Sequence, residues 1–373
     1  MKILCEDTLT YGKEFFSDVG HVTFFSGSTL QPEQLIDVDC LLVRSTTRVD
    51  EQLLVKANCL KFVATATAGT DHVDIPLLES RDIEFFSAAG CNAIAVAEYV
   101  IAALMHLSEE KFFLENKSVG IVGAGNVGTV LAQKLDRLGV CVKLYDPPLQ
   151  DAGDGREFVT LEQIMKCDVI SLHVPLVEDG LYPTRKLIDA GMLEKLNNEQ
   201  TLVNACRGEV IDQDALLELK RDGRNFKTVL DVWESEPNID FSLVPFVDIA
   251  TQHIAGHTIE GKARGTDMVY QRLINKFDIE QKRDMWQFLP QVNTIEIRGD
   301  DKFSLQKQLV ASIYDITQDD KHFREQVIDG ASFRYSRKNY GIRREFGASK
   351  VCAGNFQQSQ ALYELGIIPI NKN

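Results

Sequence analysis

Residues 121–128 read IVGAGNVG, and this stretch decides the fold of the chain around it. Gly123, Gly125 and Gly128 form a GxGxxG pattern that directly follows a strand-like apolar run and opens an amphipathic helical pattern. In such a unit the first glycine permits a tight turn, the second lets the backbone approach a pyrophosphate, and the third lets helix and strand pack closely. The N–H groups of Asn126 and Val127 would then face the phosphates from the helix N-terminus. The stretch therefore predicts a dinucleotide-binding βαβ unit.

The residue that selects the dinucleotide follows the next strand pattern, residues 140–145. Asp146 lies 18 residues after Gly128, close to the ~20 residues at which the ribose carboxylate is expected. A carboxylate at this position accepts hydrogen bonds from the ribose hydroxyls and repels a 2′-phosphate. The sequence therefore predicts NAD, rather than NADP, as the cofactor.

Strand and helix patterns alternate on both sides of this unit, which predicts two parallel sheets covered by helices. A long apolar helix pattern, from Ala93 toward Leu107, separates the two series. A helical pattern over residues 252–279 is expected to return to the first domain. Beyond Lys282, a strand pattern at 294–298 and a helix pattern at 302–315 begin a third unit.

Composition excludes several classes of function. The chain has 373 residues, 44% hydrophobic and 25% charged, which is typical of a globular protein of two or three domains. A net charge of −15 opposes binding to nucleic acid or to an anionic membrane. No apolar run reaches the ~18 residues of a membrane span, and no secretory signal is visible. Eight scattered cysteines indicate reduced thiols and a cytoplasmic protein, and no histidine or cysteine spacing predicts a metal site.

Three further segments carry residues suited to catalysis. Arg207, Glu236 and His253 each follow a strand pattern, and ligands of open α/β sheets bind beyond the carboxyl ends of the strands. An arginine can clamp a carboxylate, a histidine can move a proton, and an acid can orient the histidine. Singly, each residue has an ordinary structural explanation; together they predict a reacting centre beside the nicotinamide.

The spacing of these three residues, 29 and then 17, after a dinucleotide motif resembles the D-isomer-specific 2-hydroxyacid dehydrogenases. The resemblance covers nearly the whole chain. Several further segments narrow the resemblance to family members that act on a phosphorylated substrate and carry an extra C-terminal domain. These segments are TATAGTDH (65–72), GCNA (90–93), NACRG (204–208), HIAG (253–256), EGKARGT (260–266), RKNY (337–340) and RRE (343–345).

The resemblance implies a fold and a division into domains. The expected fold class is α/β, with a Rossmann-type NAD-binding domain over residues 93–255. A flavodoxin-like α/β substrate domain is expected over residues 1–92, completed by 256–280. A small α+β C-terminal dimerisation domain is expected over residues 281–373, which implies a homodimer. Apolar tail positions are expected to supply its buried face, namely Ile295, Ile297, Leu305, Leu309, Ile313 and Tyr314.

The resemblance also implies an activity. It is the NAD-dependent oxidation of 4-phospho-D-erythronate to 2-oxo-3-hydroxy-4-phosphobutanoate, a step of pyridoxine 5′-phosphate (vitamin B6) biosynthesis. Another NAD-dependent 2-hydroxyacid dehydrogenase, such as one for D-3-phosphoglycerate, is the nearest alternative. A non-catalytic NAD-sensing interaction protein is a third, although it would not need a proton-transfer pair.

Carried over position by position, the resemblance makes Arg207, Glu236 and His253 catalytic, with His253 as the proton acceptor and donor. Ser45 and Thr67 are expected to contact the substrate. His257 stands where the family pattern has a tyrosine, so its contact differs from the family's. Besides the glycine motif, the residues expected to line NAD are Asp146, Val174, Ala205, Cys206, Arg207, Asp231 and Gly256.

Overall fold

The computed structural model describes residues 1–108, 117–280, 282–299 and 301–371. The chain forms two compact units, and the backbone passes from one to the other three times. The first unit comprises Met1–Asn92 and His257–Gln291, and the second comprises Ala93–Gly256 and Val292–Asn373.

The first unit is built on five parallel strands in the order β2-β1-β3-β4-β5, and this 2-1-3-4-5 order is that of flavodoxin-like folds. The inner strands are buried on both faces, so they read as continuous apolar runs. The strands are β1 (Lys2–Glu6), β2 (His21–Phe25), β3 (Cys40–Val43), β4 (Phe62–Thr65) and β5 (Glu84–Ser87). The α-helices are Gly12–Phe16, Ile75–Ser80 and Ile259–Lys276, and single 3₁₀ turns lie at Gly27–Thr29, Pro32–Leu35, Leu53–Lys56 and Met285–Gln287.

The last α-helix of this unit returns to the first sheet, as the sequence predicts, but it begins later than the helical pattern does. Its first residue is Ile259, because Thr258 caps it: the Thr258 Oγ1 accepts the N–H of Gly261 at 3.0 Å. One face of the helix is buried, and the Tyr270 ring lies 5.2 Å from the ring of Phe15. The segment before the helix is a loop.

The second unit contains six parallel strands in the order β11-β10-β9-β8-β6-β7. The strands are β6 (Ser118–Val122), β7 (Cys141–Tyr145), β8 (Val169–Leu172), β9 (Thr201–Asn204), β10 (Lys227–Leu230) and β11 (Ile249–Ala250). The chain leaves β6 for one neighbour, β7, and then crosses to the other, β8. This reversal places a topological switch point at the carboxyl end of β6, where nucleotides bind in such sheets. The predicted Rossmann-type and flavodoxin-like domains are both confirmed.

The helices around this second sheet include the long apolar one that the sequence predicts. The α-helices are Ala93–Leu107, Asn126–Arg137, Pro147–Asp151, Leu161–Ile164, Ala190–Glu194 and Gln213–Arg221, with 3₁₀ turns at Gly208–Val210 and Val244–Phe246.

The C-terminal segment of the second unit, from Val292 onward, adds three parallel strands and four α-helices. The strands are β12 (Thr294–Glu296), β13 (Lys350–Ala353) and β14 (Pro369–Asn371). The helices are Lys302–Ile313, Ile316–Gln326, Gly330–Lys338 and Phe356–Leu365, and a 3₁₀ turn lies at Phe346–Ala348. Within the described ranges, no helix combines the length and hydropathy of a membrane span.

This segment shares a hydrophobic core with the helix Ala93–Leu107. Leu305, Leu309 and Tyr314 are buried within the chain itself. The predicted buried face therefore lies inside this chain, as part of its own hydrophobic core. Glu98 of this helix bonds the same segment, since its Oε2 accepts the N–H of Phe346 at 2.8 Å. Its Oε1 forms a buried ion pair with Lys134 Nζ at 2.8 Å, on the helix Asn126–Arg137.

Candidate active site

The loop after β6, residues 123–125 (the glycine loop), has the shape that a pyrophosphate needs. Gly123 has φ 92°, and a Cβ there would lie 2.5 Å from the carbonyl oxygen of His173. A Cβ on Gly128 would lie 2.0 Å from the carbonyl oxygen of Gly123, so only glycine allows this approach. A Cβ on Gly125 would meet nothing within 4 Å. That open space lies before the first helical N–H groups, and it fits the approach of a dinucleotide.

Asp146 stands at the end of β7 and contacts the glycine loop directly. Its Oδ2 accepts the N–H of Ala124 at 2.8 Å, and its Oδ1 accepts the N–H of Leu149 at 3.1 Å, which caps the next helix. A carboxylate has about four acceptor sites, so capacity remains for ribose hydroxyls. The residues present therefore fit NAD.

Sequence reasoning missed Arg156, which supports the same loop from its other side. The Arg156 Nη1 donates to the carbonyl oxygen of Ala124 at 3.0 Å and to the Oγ1 of Thr129 at 2.9 Å. The two polar groups of Ala124 are thus held by side chains of opposite charge, Asp146 and Arg156. No motif marks Arg156, because it lies 32 residues from the loop it supports.

His253 and Glu236 form the hydrogen-bonded pair that the sequence predicts. The His253 Nδ1 lies 2.7 Å from Glu236 Oε2, and Glu236 Oε1 accepts the N–H of Trp233 at 2.9 Å. A carboxylate only accepts, so the proton of this bond belongs to Nδ1 and the Nε2 is left for a substrate. Burial opposes ionisation of Glu236, but the charge and hydrogen bond of His253, the charge of Arg337 and the Trp233 bond outweigh it. The pKa of Glu236 accordingly lies below its usual value.

Arg207 follows β9 in a turn that Asn204 organises. The Asn204 Nδ2 donates to the carbonyl oxygen of Arg207 at 2.9 Å, and its Oδ1 accepts the N–H of Cys206 at 3.1 Å. The next residue, Gly208, packs directly on the Trp233 backbone, where a Cβ would lie 2.0 Å from the Trp233 carbonyl carbon. The arginine turn and the segment leading to Glu236 are therefore in direct contact.

The remaining residues expected to line NAD differ in exposure. Val174, Ala205 and Gly256 are partly exposed. Cys206 is buried, which raises the pKa of its thiol to about 11. Asp231 is only 1% exposed, and its carboxylate accepts N–H groups within the chain: Oδ1 from Ile254 at 2.7 Å and Oδ2 from Ala255 at 2.9 Å.

Arg337 belongs to the RKNY segment, and the sequence predicted no role for it. In the structure it lies at this site. Its Nε donates to the carbonyl oxygen of His253 at 3.2 Å. Burial lowers the pKa of Arg337, the nearby charges of Glu236 and Asp231 act to raise it, and the charge of Arg207 lowers it further. The guanidinium of Arg337 thus interacts electrostatically with three predicted site residues, Glu236, Asp231 and Arg207. All of them lie in the second unit.

In the first unit, a buried carboxylate shapes the segment 44–47 that carries Ser45. Glu6 accepts hydrogen bonds from the hydroxyls of Thr8, Thr46 and Thr47 and, at 2.8 Å, from the N–H of Arg44. Burial opposes ionisation of Glu6, but these bonds outweigh it and lower its pKa. Ser45 itself is exposed. Glu6 was missed because an acid at a strand end has no distinctive pattern.

Thr67 and Lys262 complete the polar residues of interest in the first unit. The Thr67 hydroxyl lies 2.7 Å from the Thr65 hydroxyl and donates to the carbonyl oxygen of Gly69 at 3.0 Å. His257 is partly exposed. Burial and the nearby charge of Arg44 lower the pKa of Lys262 to about 8, so two cations lie near the Ser45 segment. Among the described residues, no group of three or more His, Cys, Asp or Glu could hold a metal ion.

Comparison with known proteins decides the family. A protein from Pseudoalteromonas atlantica, named erythronate-4-phosphate dehydrogenase, is 50% identical over 98% of this chain and 99% of its own length. One of the same name from Psychromonas ingrahamii is 45% identical over 98% and 96%. The chain belongs to the erythronate-4-phosphate dehydrogenase family.

Family models agree with this membership. The model described as "D-isomer specific 2-hydroxyacid dehydrogenase, NAD binding domain" matches residues 104–257. A second model, "Domain of unknown function (DUF3410)", matches residues 288–366. The predicted NAD cofactor and the predicted dehydrogenase class of the erythronate-4-phosphate dehydrogenase family are therefore confirmed.

Solved structures share the fold over about three quarters of the chain. The NAD complex of a formate dehydrogenase from Staphylococcus aureus is 24% identical, with a TM-score of 0.58 over 76% of this chain and 98% of that chain. The NAD⁺ complex of 3-phosphoglycerate dehydrogenase from Entamoeba histolytica is 24% identical, with a TM-score of 0.63 over 75% and 96%. About a quarter of this erythronate-4-phosphate dehydrogenase family member thus lies outside each match.

Proposed function

We propose that this chain catalyses the NAD-dependent oxidation of 4-phospho-D-erythronate to 2-oxo-3-hydroxy-4-phosphobutanoate, in the biosynthesis of pyridoxine 5′-phosphate. The observation that carries the proposal is the 2.7 Å His253–Glu236 hydrogen bond, found in a chain 50% identical to a named erythronate-4-phosphate dehydrogenase. The pair supplies what oxidation of a hydroxyl needs: a base with one nitrogen protonated and the other available.

In this mechanism the Nε2 of His253 takes the proton of the substrate 2-hydroxyl. The imidazole becomes a cation, and the ionised Glu236 stabilises that cation and keeps the ring oriented. Arg207 binds the substrate carboxylate and polarises the C2 oxygen, because a guanidinium offers paired donors to planar anions. NAD, when bound, supplies the acceptor for the hydride that leaves C2.

The NAD-binding residues in this proposal are the glycine loop, Asn126 and Val127 at the helix N-terminus, and Asp146 at the ribose. Val174, Ala205 to Arg207, Asp231 and Gly256 belong to the same set. Asp231 contributes through the backbone that its carboxylate holds in place, since that carboxylate is already engaged by Ile254 and Ala255.

Ser45, Thr67 and His257 are the proposed substrate contacts of the first unit. A phosphorylated substrate needs hydrogen-bond donors and positive charge, although the chain as a whole carries −15. Arg44 and Lys262 provide two local cations, and the hydroxyls of Ser45 and Thr67 provide donors.

The test is a substrate panel followed by NADH absorbance, with NAD and the full chain. We expect turnover on 4-phospho-D-erythronate at least tenfold above that on D-lactate or D-erythronate, since a site built for a phosphate rejects analogues that lack it. Turnover on D-3-phosphoglycerate should also be at least tenfold lower, because its phosphate lies one carbon closer to the carboxylate. Equal turnover on D-3-phosphoglycerate would remove the narrow assignment and leave the broader 2-hydroxyacid dehydrogenase class.

The proposal divides the chain into a substrate domain (1–92, completed by 256–280), an NAD-binding domain (93–255) and a C-terminal domain (281–373). It includes a homodimer built on the last of these. Large apolar side chains are exposed along this segment, at Ile328, Tyr335, Ile342, Phe356, Tyr363 and Ile368, and such surface favours association with a second copy. Sedimentation of the purified chain at micromolar concentration tests it, and a monomer there contradicts it.

A cytoplasmic location is also part of the proposal. None of the eight cysteines, all of which lie in the described ranges, is in a disulfide, as expected for a reducing compartment. The acidic net charge supports a small-molecule substrate and no nucleic-acid partner.

A further inference from the structure

The segment 251–256 (the histidine loop) holds His253 in an unfavourable backbone conformation. His253 has φ 58°, in the left-handed region, which is unfavourable for a residue with a Cβ. Such a conformation persists only where neighbouring groups impose it. The groups that contact this loop therefore determine where the imidazole lies.

On the side of the nucleotide sheet, Asp231 supplies those contacts. Its carboxylate accepts the N–H groups of Ile254 and Ala255, and its carbonyl oxygen accepts the N–H of His253 at 2.7 Å. The Thr251 hydroxyl donates to the same carboxylate at 2.7 Å. These bonds engage the N–H groups of residues 253–255 and the Thr251 hydroxyl.

The carbonyl groups of residues 253–255 are held instead by the C-terminal segment, whereas that of Thr251 accepts the Trp233 indole N–H at 2.8 Å. The Arg337 Nε donates to the carbonyl oxygen of His253 at 3.2 Å, and the Arg343 Nη1 donates to that of Ala255 at 3.1 Å. Immediately before them, the Gln252 Nε2 lies 3.3 Å from the Ser336 hydroxyl. Since Asp231 binds the N–H groups of residues 253–255 and the C-terminal segment binds their carbonyl groups, both contribute to the structure of the loop.

Of these residues, Arg337 combines a backbone contact with a charge effect. Its guanidinium bonds the catalytic histidine, and its charge acts on Glu236, the partner of that histidine. Besides His253, the charge that acts on Glu236 is that of Arg337, on the helix Gly330–Lys338. Asp231 and Arg207, from the nucleotide sheet, act in turn on Arg337. Arg337 is thus the cation that the C-terminal segment contributes.

We propose that Arg337 is a positioning residue for the His253–Glu236 pair, and that the C-terminal segment is through it a working part of the active site in its own chain. This assigns a role to a segment whose family model has no stated function. The inference rests on the proposed function, because it requires His253 to be the base.

The experiment compares Arg337→Gln with Arg337→Lys and with a matched control, Arg334→Gln. Arg334 lies one turn earlier on the same helix and is exposed. For each full-length variant, kcat, KM and the pH–rate profile of oxidation are measured with NAD and 4-phospho-D-erythronate, together with NAD affinity and thermal unfolding.

For Arg337→Gln we expect kcat to fall roughly ten- to a hundredfold, the scale of a small misplacement of a catalytic group. The midpoint of the oxidation profile should move to higher pH by about half to one unit, because loss of a cation favours the protonated imidazole. NAD affinity should be unchanged. Arg337→Lys should keep the midpoint but lose several-fold in kcat, since an ammonium lacks the planar donor. Arg334→Gln should match the unmodified chain.

An unmoved midpoint with unchanged kcat in Arg337→Gln overturns the proposal, and so does a rise in KM alone, which would make Arg337 a substrate contact. If Arg337→Gln does not fold, Arg337→Lys provides the test. A kcat of Arg337→Lys equal to that of the unmodified chain overturns the proposal. His253→Ala separates the two hypotheses. If that variant keeps the pH step, the proposed function fails; if it loses the step while Arg337→Gln changes nothing, only this inference fails.

Discussion

The glycine loop and the histidine loop are both short turns at the carboxyl ends of strands in one sheet, and they are specified in opposite ways. The glycine loop depends on which side chains are absent: at Gly128 a Cβ would lie 2.0 Å from backbone oxygen. The histidine loop depends on side chains that are present elsewhere, at Asp231, Arg337 and Arg343. A turn of the first kind is recognisable in a sequence, and a turn of the second kind becomes visible only in a structure.

The largest expected effect is the loss of the base itself. His253→Ala should lower kcat by ~10²–10⁴, the usual contribution of general acid–base catalysis, and should remove the pH-dependent rise of oxidation. NAD affinity should be unchanged, because the change lies outside the glycine loop. Paired kcat measurements between pH 5 and 10 test this, and a retained rise would show that another group is the base.

Two alanine substitutions in and after the glycine loop should separate packing from cofactor binding. Gly128→Ala places a Cβ on the Gly123 carbonyl oxygen, so it should cost ~1–3 kcal/mol in the free energy of unfolding and also weaken NAD binding. Gly125→Ala meets no atom of the chain within 4 Å, so its unfolding should be unchanged.

The Gly125→Ala variant should nevertheless lose roughly tenfold or more in NAD affinity, about 1.4 kcal/mol, because its methyl group occupies the space proposed for the pyrophosphate. Urea unfolding and NAD titration of both variants give the four values. Equal destabilisation of the two variants would contradict this division of roles.

Glu236→Gln tests whether the carboxylate of Glu236 stabilises the protonated form of His253. An amide cannot stabilise the imidazolium as a carboxylate does, so the midpoint of the oxidation profile should move to lower pH by about one unit. The midpoint of the pH–rate profile for reduction of the 2-oxo acid should shift in the same direction, and NAD affinity should be unchanged. Profiles measured in both directions test it, and an unmoved midpoint would separate Glu236 from the base.

Asp146→Ser tests whether a side chain also governs the cofactor end of the site. Serine removes the charge that repels a 2′-phosphate, so the preference for NAD over NADP should fall by ~1–3 kcal/mol. The ratio of kcat/KM for the two cofactors measures this. An unmodified chain that already uses both equally well would refute the role of Asp146.

The smallest effect concerns Lys262, whose pKa is about 8. The ammonium is charged below that pH and neutral above it, so KM for the phosphorylated substrate should rise several-fold between pH 7 and pH 9. Bound phosphate favours the charged form, which moves the midpoint upward. Lys262→Arg keeps its charge over this range and should flatten the rise; a rise that persists in this variant would assign it to another group.

Much of the fold and part of the site could be predicted from the sequence. Strand runs, the glycine loop and Asp146 are local patterns with local physical causes. The pairing of Glu236 with His253 required a family resemblance, because 17 residues separate them. Glu6, Arg156 and Arg337 bind backbone groups 32 to 84 residues away in the sequence, and no spacing rule connects such positions. The helix predicted from residue 252 does not form there for the same reason, because the Asp231 carboxylate binds the N–H groups of Ile254 and Ala255 in a loop.

The dependence of the histidine loop on Arg337 and Arg343 has a consequence for how the enzyme is made. A ribosome completes residues 251–256 some eighty residues before it reaches these arginines, so the nascent nucleotide sheet can form while its base is still unplaced. Oxidation begins only once the later helices have docked. Proteolytic removal of the segment after a cut between residues 313 and 337 would likewise abolish oxidation, although the proposed NAD-binding residues would all be intact.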